Sequence, residues 1–472
     1  MSPMRHYICQ SLFIGAVMLA STISISGQEL RSSYFMKTST FRHQLNPALA
    51  DQAYLGLLFG STNVGTSGNV GLSNFVYKLE NNPNYNLTTF MSPEVNADEF
   101  LGKLHDKNRV NAHVNYNLFS VGFKGFKGVN IIEVNMKSNT SLSLPYELFE
   151  FMKKTGEKEH YSFKNLGAKS LNYLEIGLGH SHKIGENLTI GGKLKILSGM
   201  AYAKLDVDHL DLTLNKDVWT INGNAKFSAA VLKSKFKYDD NPDPNTTDPA
   251  RGKKVTGIDD VSFDTPGFGL ALDLGFTYKV APIDGLTVSG ALTDLGSITW
   301  KNTNTASSKG TWEFDGFNNP IYATGENTGN NKVGDQFQAL GDDLKKVFSV
   351  YDDGQKNEKS SLTATLSLAA EYQMPFYHKL SAGILYTKRF NGIFSLHQTS
   401  LALNYRPVKF VEASLNASTT SEGTTLGGML SLYAKGFNLF IGSDSFMGKV
   451  SKEYIPLHNG NANLAFGINF PL

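Results

Sequence analysis

The sequence predicts an all-β chain, a transmembrane outer-membrane β-barrel of about 14 antiparallel strands. Three observations predict it. Apolar and polar residues alternate with period two in long runs. Several runs reach ~10–14 residues, where soluble strands are commonest at ~5–6 and a tilted membrane strand needs ~9–11. The polar face of these runs is mainly Gly, Ser, Thr, Ala and Asn rather than Lys and Glu. Small polar residues suit a crowded lumen, and the apolar face would then meet lipid. A large soluble sandwich or solenoid is the competing fold.

Composition agrees. A chain of 472 residues allows two or three domains or one large barrel. Lys plus Arg is 44 against 42 for Asp plus Glu; the near balance argues against a nucleic-acid binder, which needs a basic excess or patch. Beyond the N-terminus no run approaches the ~18 apolar residues of a membrane helix. That excludes a helical membrane protein and leaves a barrel open, since alternating strands average out as polar.

Residues 1–27 have the pattern of a secretory signal peptide. Arg5 and His6 form a short basic start, Leu12–Ile25 an apolar stretch too short to span, and Gly27–Gln28 a cleavage point. Cys9, the single cysteine, lies inside this segment. The mature chain therefore has no disulfide, which suits a Gram-negative envelope better than a small secreted domain.

The strands follow in order. In Phe268–Val280 the apolar row is Phe268, Leu270, Leu272, Leu274, Phe276, Tyr278 and Val280; Gly269, Ala271, Asp273, Gly275, Thr277 and Lys279 oppose it. Ser361–Met374 repeats the pattern, and Lys193 and Lys195 oppose Leu194 and Ile196. Fourteen runs are counted: 112–124, 129–138, 171–182, 188–202, 204–214, 217–229, 267–280, 285–298, 361–374, 379–389, 393–406, 409–418, 424–434 and 461–470. Residues 53–60 and 436–442 are further candidates. Aromatics such as Tyr278, Tyr377, Tyr405 and Phe470 gather near strand ends, as interfacial girdles do.

Short helices are expected at Asn96–His105, with Asn96 as N-cap, at Pro145–Lys154 and at Asp335–Val350. Residues 233–264 and 302–360 are expected as long extracellular loops. Alternation changes phase at Leu118–Phe119, where Val114, Tyr116 and Leu118 give way to Phe119, Val121 and Phe123. A phase change implies a bulge, which is either structural or an opening in the wall.

Little in the chain suggests chemistry. The acidic run Asp239–Asp248 fails the EF-hand spacing, with Pro244 at the glycine position and Ala250 at the bidentate position. His180 and His182 share a strand face while Ser181 points away, so no nucleophile–base pair forms. Phosphate-loop, HExxH and CxxC motifs are absent. No catalytic residue, metal site or cofactor is expected, and the chain is not expected to be an enzyme.

Asn46-Pro47-Ala48, near the start of the mature chain, marks a turn. It resembles the Asn-Pro-Ala motif of the FadL-type outer-membrane barrels, which include long-chain fatty-acid channels and the PorV component of type IX secretion. The wider text is similar to an uncharacterised Bacteroidetes family, a domain of unknown function. Tyr34-Phe35, Phe41–Ala48, Thr89–Met91, Asp98–Leu101, Pro145–Phe149, Gly179–Ser181 and Pro266–Gly269 carry that likeness, which spans essentially the whole mature chain. The resemblance implies a Gram-negative outer-membrane location and residues 28–52 as a hatch inside the barrel, with Asn46, Pro47 and Ala48 at its turn. Residues 53–472 would be the barrel. The expected function is passive passage of hydrophobic or amphipathic small molecules; the alternative is a non-transporting scaffold that binds envelope proteins in secretion or surface assembly. The expected partners are the lipid bilayer, a hydrophobic small molecule and an envelope protein, with no nucleic acid and a monomeric state.

Overall fold

The computed structural model describes residues 31–78, 87–154, 156–215, 219–231, 235–238, 255–259, 266–314, 322–323, 350–446 and 461–472. Its wall is a single antiparallel ladder that closes on itself. The wall segments are β1 (Tyr54–Leu57), β2 (Thr62–Gly68), β3 (Lys107–Gly125), β4 (Gly128–Pro145), β5 (Gly167–Ile184) and β6 (Leu188–Leu214). They continue as β7 (Trp219–Val231), β8 (Gly267–Lys279), β9 (Leu286–Phe314), β10 (Tyr351–Ser361), β11 (Ala364–Gln373) and β12 (Leu380–Phe390). The last five are β13 (Leu396–Val408), β14 (Val411–Thr420), β15 (Gly423–Ala434), β16 (Phe437–Ser443) and β17 (Ala462–Pro471).

Besides the three-residue strand His160–Ser162, which pairs with β6 beyond the end of β5, three wall positions hold two segments each. β1 and β2 both pair with β3 and β17. β7 and β8 both pair with β6 and β9. β10 and β11 both pair with β9. Seventeen segments minus three shared places leave 14 wall positions, closed where β17 meets β1 and β2. Closure gives the strands of the apolar band a partner on both sides, the condition for β-structure in hydrocarbon; β10, toward the loop end, pairs with β9 alone.

One barrel end has only short turns, at 126–127, 185–187, 280–285, 374–379, 409–410 and 435–436. The other carries the long connections, including 69–106 and 146–166. That asymmetry is usual for outer-membrane barrels. The outer face is apolar: Phe268, Leu270, Leu272 and Leu274 are exposed on β8, while Ala271 and Asp273 between them are buried. Leu368, Leu401, Leu415, Leu430, Ile441 and Leu464 extend the apolar band around the wall. Aromatics collect near the short turns, including Tyr278, Phe376, Tyr405 and Phe410, and Tyr377 stacks on Tyr405.

The long connections have their own core. The helices Ala97–Leu101 and Tyr146–Lys153 pack Phe100, Leu148, Phe149 and Phe151 with Phe90 and with Leu210, Leu212 and Ile221 of β6 and β7. Asn96 caps the first helix, accepting from the Glu99 N–H at 2.9 Å. Pro145 stands before the second as its N-cap, closing β4.

Several boundaries differ from the sequence expectation. Runs 188–202 and 204–214 are one strand, β6, in which register shifts beside Gly199 and again before His209 break the alternation without ending the strand. Runs 217–229 and 267–280 share one wall position. Segments 53–60 and 436–442, held as extra candidates, both contribute wall strands. Two strands too many and two too few leave the count unchanged.

The loop expected at 302–360 is shorter. β9 continues to Phe314, and β10 resumes at Tyr351. These strands pass beyond the apolar band, where both faces turn polar and the alternation fades. The insertion at 233–264 does not start at a strand tip. It leaves the wall between Val231 and Gly267, opposite Ala201 and Gly199 in the middle of β6. Within it, Lys235–Tyr238 and Val255–Asp259 pair as a hairpin. Residues 1–30, the acidic run 239–248 and all but Val350 of the helix expected at 335–350 lie outside the described residues.

Candidate functional site: a plugged lumen

Residues 31–53 lie inside the barrel at the short-turn end, and Tyr34, Phe35, Met36, Phe41, His43 and Asn46 are buried there. Short 3-10 turns fold this plug: Arg31–Ser33, Thr40–Gln44 and Pro47–Leu49. The wall holds it mainly through its backbone. The Asp444 carboxylate accepts from the Arg31 and Ser32 N–H groups at 2.8 and 3.1 Å. Glu412 accepts likewise from Lys37 and Thr38, at 3.2 and 2.8 Å. Charge-assisted bonds of this kind are about twice as strong as neutral ones.

Asn46, Pro47 and Ala48 form the plug's tightest contact. The Asn46 Oδ1 accepts from the Ala48 N–H at 3.0 Å, closing the turn. Its Nδ2 donates to Tyr34 Oη at 3.1 Å and to the Phe276 carbonyl at 3.2 Å. The turn sits on two cross-strand glycines, Gly191 of β6 and Gly275 of β8. A Cβ on Gly275 would stand 2.1 Å from Asn46 Oδ1, and one on Gly191 2.3 Å from the Ala48 N. Only glycine allows that approach. Ser181, the inward neighbour of the two histidines, donates to the Ala48 carbonyl at 3.4 Å, while His180 bonds Asn130 at 2.9 Å.

Next to this turn the lumen is ionic. Lys193 pairs with Glu133 at 2.5 Å, both fully buried. Lys195 meets Asp273 at 2.8 Å and Asp294 at 2.7 Å, and Lys137 meets Glu175 at 3.0 Å. A register shift places Asp294 there: its backbone is left-handed at φ 58°, and its N–H donates to Asp273 Oδ1 at 2.7 Å. The plug joins the network. Gln44 donates to Glu133 at 3.1 Å, and Lys193 lies 3.5 Å from His43 Nδ1. Burial pushes the His43 imidazole pKa down to about 3, so the ring is neutral at pH 7. Its Nε2 bonds Tyr54 Oη at 2.7 Å.

Toward the long loops β6 passes from Lys195 to Leu197 and then Tyr202, and the lumen turns apolar. Leu171, Tyr173, Leu197, Tyr202, Trp300 and Leu362 form one buried cluster, with Tyr202 stacked on Trp300 at 5.2 Å. Beyond Tyr202 a cavity of about 640 Å³ opens, lined by Lys169, Tyr202, Lys204, Lys226, Glu358 and Phe390 among others. Beside the plug the voids are only about 20 and 40 Å³.

Leu118 and Phe119 sit where β3 shifts register against β4, between Asn117 and Phe119. The wall break between β1 and β2 lies alongside, with the Leu58 N–H donating to the Leu118 carbonyl at 3.2 Å. Leu57, Leu58 and Phe59 stand exposed there, and Leu58 and Phe59 have positive φ. Sequence reasoning missed the ionic network and the glycine seat. Their signal was charge and glycine on the inward row of β4, β5, β6 and β8, but the partners appear only once the strands are in register. Among the described residues no cluster of three or more His, Cys, Asp or Glu could hold a metal ion.

Fold and site together define a plugged transmembrane β-barrel with a closed turn end and a cavity at the loop end. The chain belongs to the family of unknown function DUF5723, whose model matches residues 47–444. No curated protein matches the sequence. Among solved structures it is similar to the toluene transporter TbuX of Ralstonia pickettii, at 10% identity over 91% of this chain and 92% of that one, with a TM-score of 0.40. It is also similar to the toluene transporter TodX of Pseudomonas putida, at 9% identity, 90% and 92% coverage and TM-score 0.37. A FadL homologue of Pseudomonas aeruginosa gives 9%, 90%, 92% and 0.35. Likenesses this remote say nothing about what enters the barrel, and the strand count comes from the chain's own ladder.

Proposed function

We propose that this protein is an outer-membrane barrel that admits hydrophobic or amphipathic small molecules passively, and that it does no chemistry on them. The observation that carries this reading is the 640 Å³ loop-end cavity bounded by an apolar layer. Barrel lumens are ordinarily polar, and a ligand-sized space with a polar rim over an apolar floor gives a small amphipathic molecule a seat for both of its ends. The plug would be the gate, with Asn46, Pro47 and Ala48 as its latch, and the defect at Leu118–Phe119 a candidate side exit. One protomer encloses the whole lumen, so a monomer suffices.

The second reading, a scaffold for envelope proteins, is favoured by the tight packing around the plug, where two voids measure about 20 and 40 Å³. Flux of small aromatic and amphipathic solutes into liposomes separates the two. The channel reading expects measurable wild-type flux and faster flux after deletion of residues 31–50. Flux only after deletion would move the weight to the scaffold.

A further inference from the structure

Lys169 of β5 and Lys204 of β6 are direct cross-strand partners, and both line the loop-end cavity. Like charges placed opposite each other weaken a sheet unless something answers them. Lys204 has Asp206 at 2.6 Å, and Lys226 across the cavity is tied to Glu358. Lys169 has only neutral acceptors: the Ser361 carbonyl at 2.9 Å and Asn391 Oδ1 at 3.0 Å. Among the described residues no carboxylate lies within ion-pair distance of it. In the whole lining, Lys169, Lys204, Lys226 and Lys359 face two carboxylates, Asp206 and Glu358.

The rest of the lining says what accompanies the missing negative charge. Ser228, Ser360 and Asn357 offer hydroxyl and amide groups, and Tyr202 and Phe394 offer flat faces. Tyr202 is itself stacked on the fully buried Trp300, so the floor is solid and gives no slot for a long alkyl tail. The volume is in the ~300–1,000 Å³ range of small-molecule pockets.

We infer that this cavity is a binding site for a compact hydrophilic organic anion, a carboxylate or phosphate on a hydroxyl-bearing body, with its charge seated between Lys169 and Lys204. Lysine serves such a group as a point charge with three donors. The site goes beyond the transport reading and holds whether or not the barrel conducts. A barrel that passes no solute but binds the anion removes that reading and leaves this one standing.

The test is calorimetric titration of the full barrel in non-ionic detergent with gluconate, glucose, inorganic phosphate and octanoate. Gluconate should bind and neutral glucose should not. Lys169→Gln should weaken gluconate at least tenfold, and Lys204→Gln should weaken it less, since Lys204 already has a carboxylate. Phosphate binding that is lost in the same variant also supports the seat between the lysines. Absence of gluconate binding, or equal affinity in Lys169→Gln, overturns the site. Octanoate binding more tightly than gluconate overturns the hydrophilic body. A gel shift between unheated and boiled protein shows that the variant has folded. If it has not, wild-type salt dependence decides: affinity for gluconate must fall with added salt, and affinity unchanged by salt overturns the proposal.

Discussion

The two ends of the lumen are built on opposite principles. At the short-turn end the buried lysines are ion-paired, with Lys193 on Glu133 and Lys195 between Asp273 and Asp294, and the voids beside the plug of about 20 and 40 Å³ are smaller than a ligand. At the loop end the charges are looser: two lysines face each other across neighbouring strands, and a cavity stands open beside them. Burial explains the difference. A charge deep in the barrel must be answered on the spot or its desolvation is uncompensated, whereas the Lys204–Asp206 and Lys226–Glu358 pairs stay partly exposed. The ion-paired end is densely filled, and the loop end keeps an open cavity.

Breaking the buried pair should have the largest effect. Glu133→Ala strands Lys193 in the wall and should cost ~3–5 kcal/mol in equilibrium unfolding from detergent or bilayers. A loss under ~1 kcal/mol would mean that water already reaches the pair, and the contrast between the ends would collapse. Next is the plug seat. Gly275→Val drives a side chain into Asn46 and should cost ~1–3 kcal/mol while leaving the barrel closed. Hydrogen exchange should then show loss of protection at the Ala48 and Leu49 amides. Protection kept at wild-type level would mean that the turn is not seated by the glycine pair. Smallest is a loop-end change. Ser360→Ala, at the cavity wall, should alter stability within ~0.5 kcal/mol; a much larger loss would make the cavity as structural as the plug.

The fold was more legible than the site. Alternation along Phe268–Val280 assigned each residue of β8 to a face, and Asn46-Pro47 marked the turn now buried in the lumen. Alternation could not tell a bulge from a strand end, so β6 was divided near Tyr202. Nor could it show that β7 and β8 share one wall position, because the 35 residues at 232–266 separate segments that continue each other. Lys193, Lys195, Glu133 and Asp273 stood on the inward rows of their strands. Their pairing depends on register, which a list of inward residues does not contain. The glycine seat was hidden for the same reason: Gly191 and Gly275 are 84 residues apart in sequence and directly opposed in the wall.

The wall's seam joins the first strands of the barrel to the last, with Tyr54 opposite Pro471 and Thr62 opposite Phe466. Every nascent or truncated chain ending before Ala462 therefore has two bare strand edges, each a row of backbone groups with nothing to bond in hydrocarbon. Insertion into lipid cannot proceed residue by residue behind synthesis. Those edges have to be covered until the final strand exists, and the seam that replaces the cover joins residues more than 400 positions apart. A seam of that sequence separation raises the contact order, the feature that slows folding in proteins built on non-local pairing.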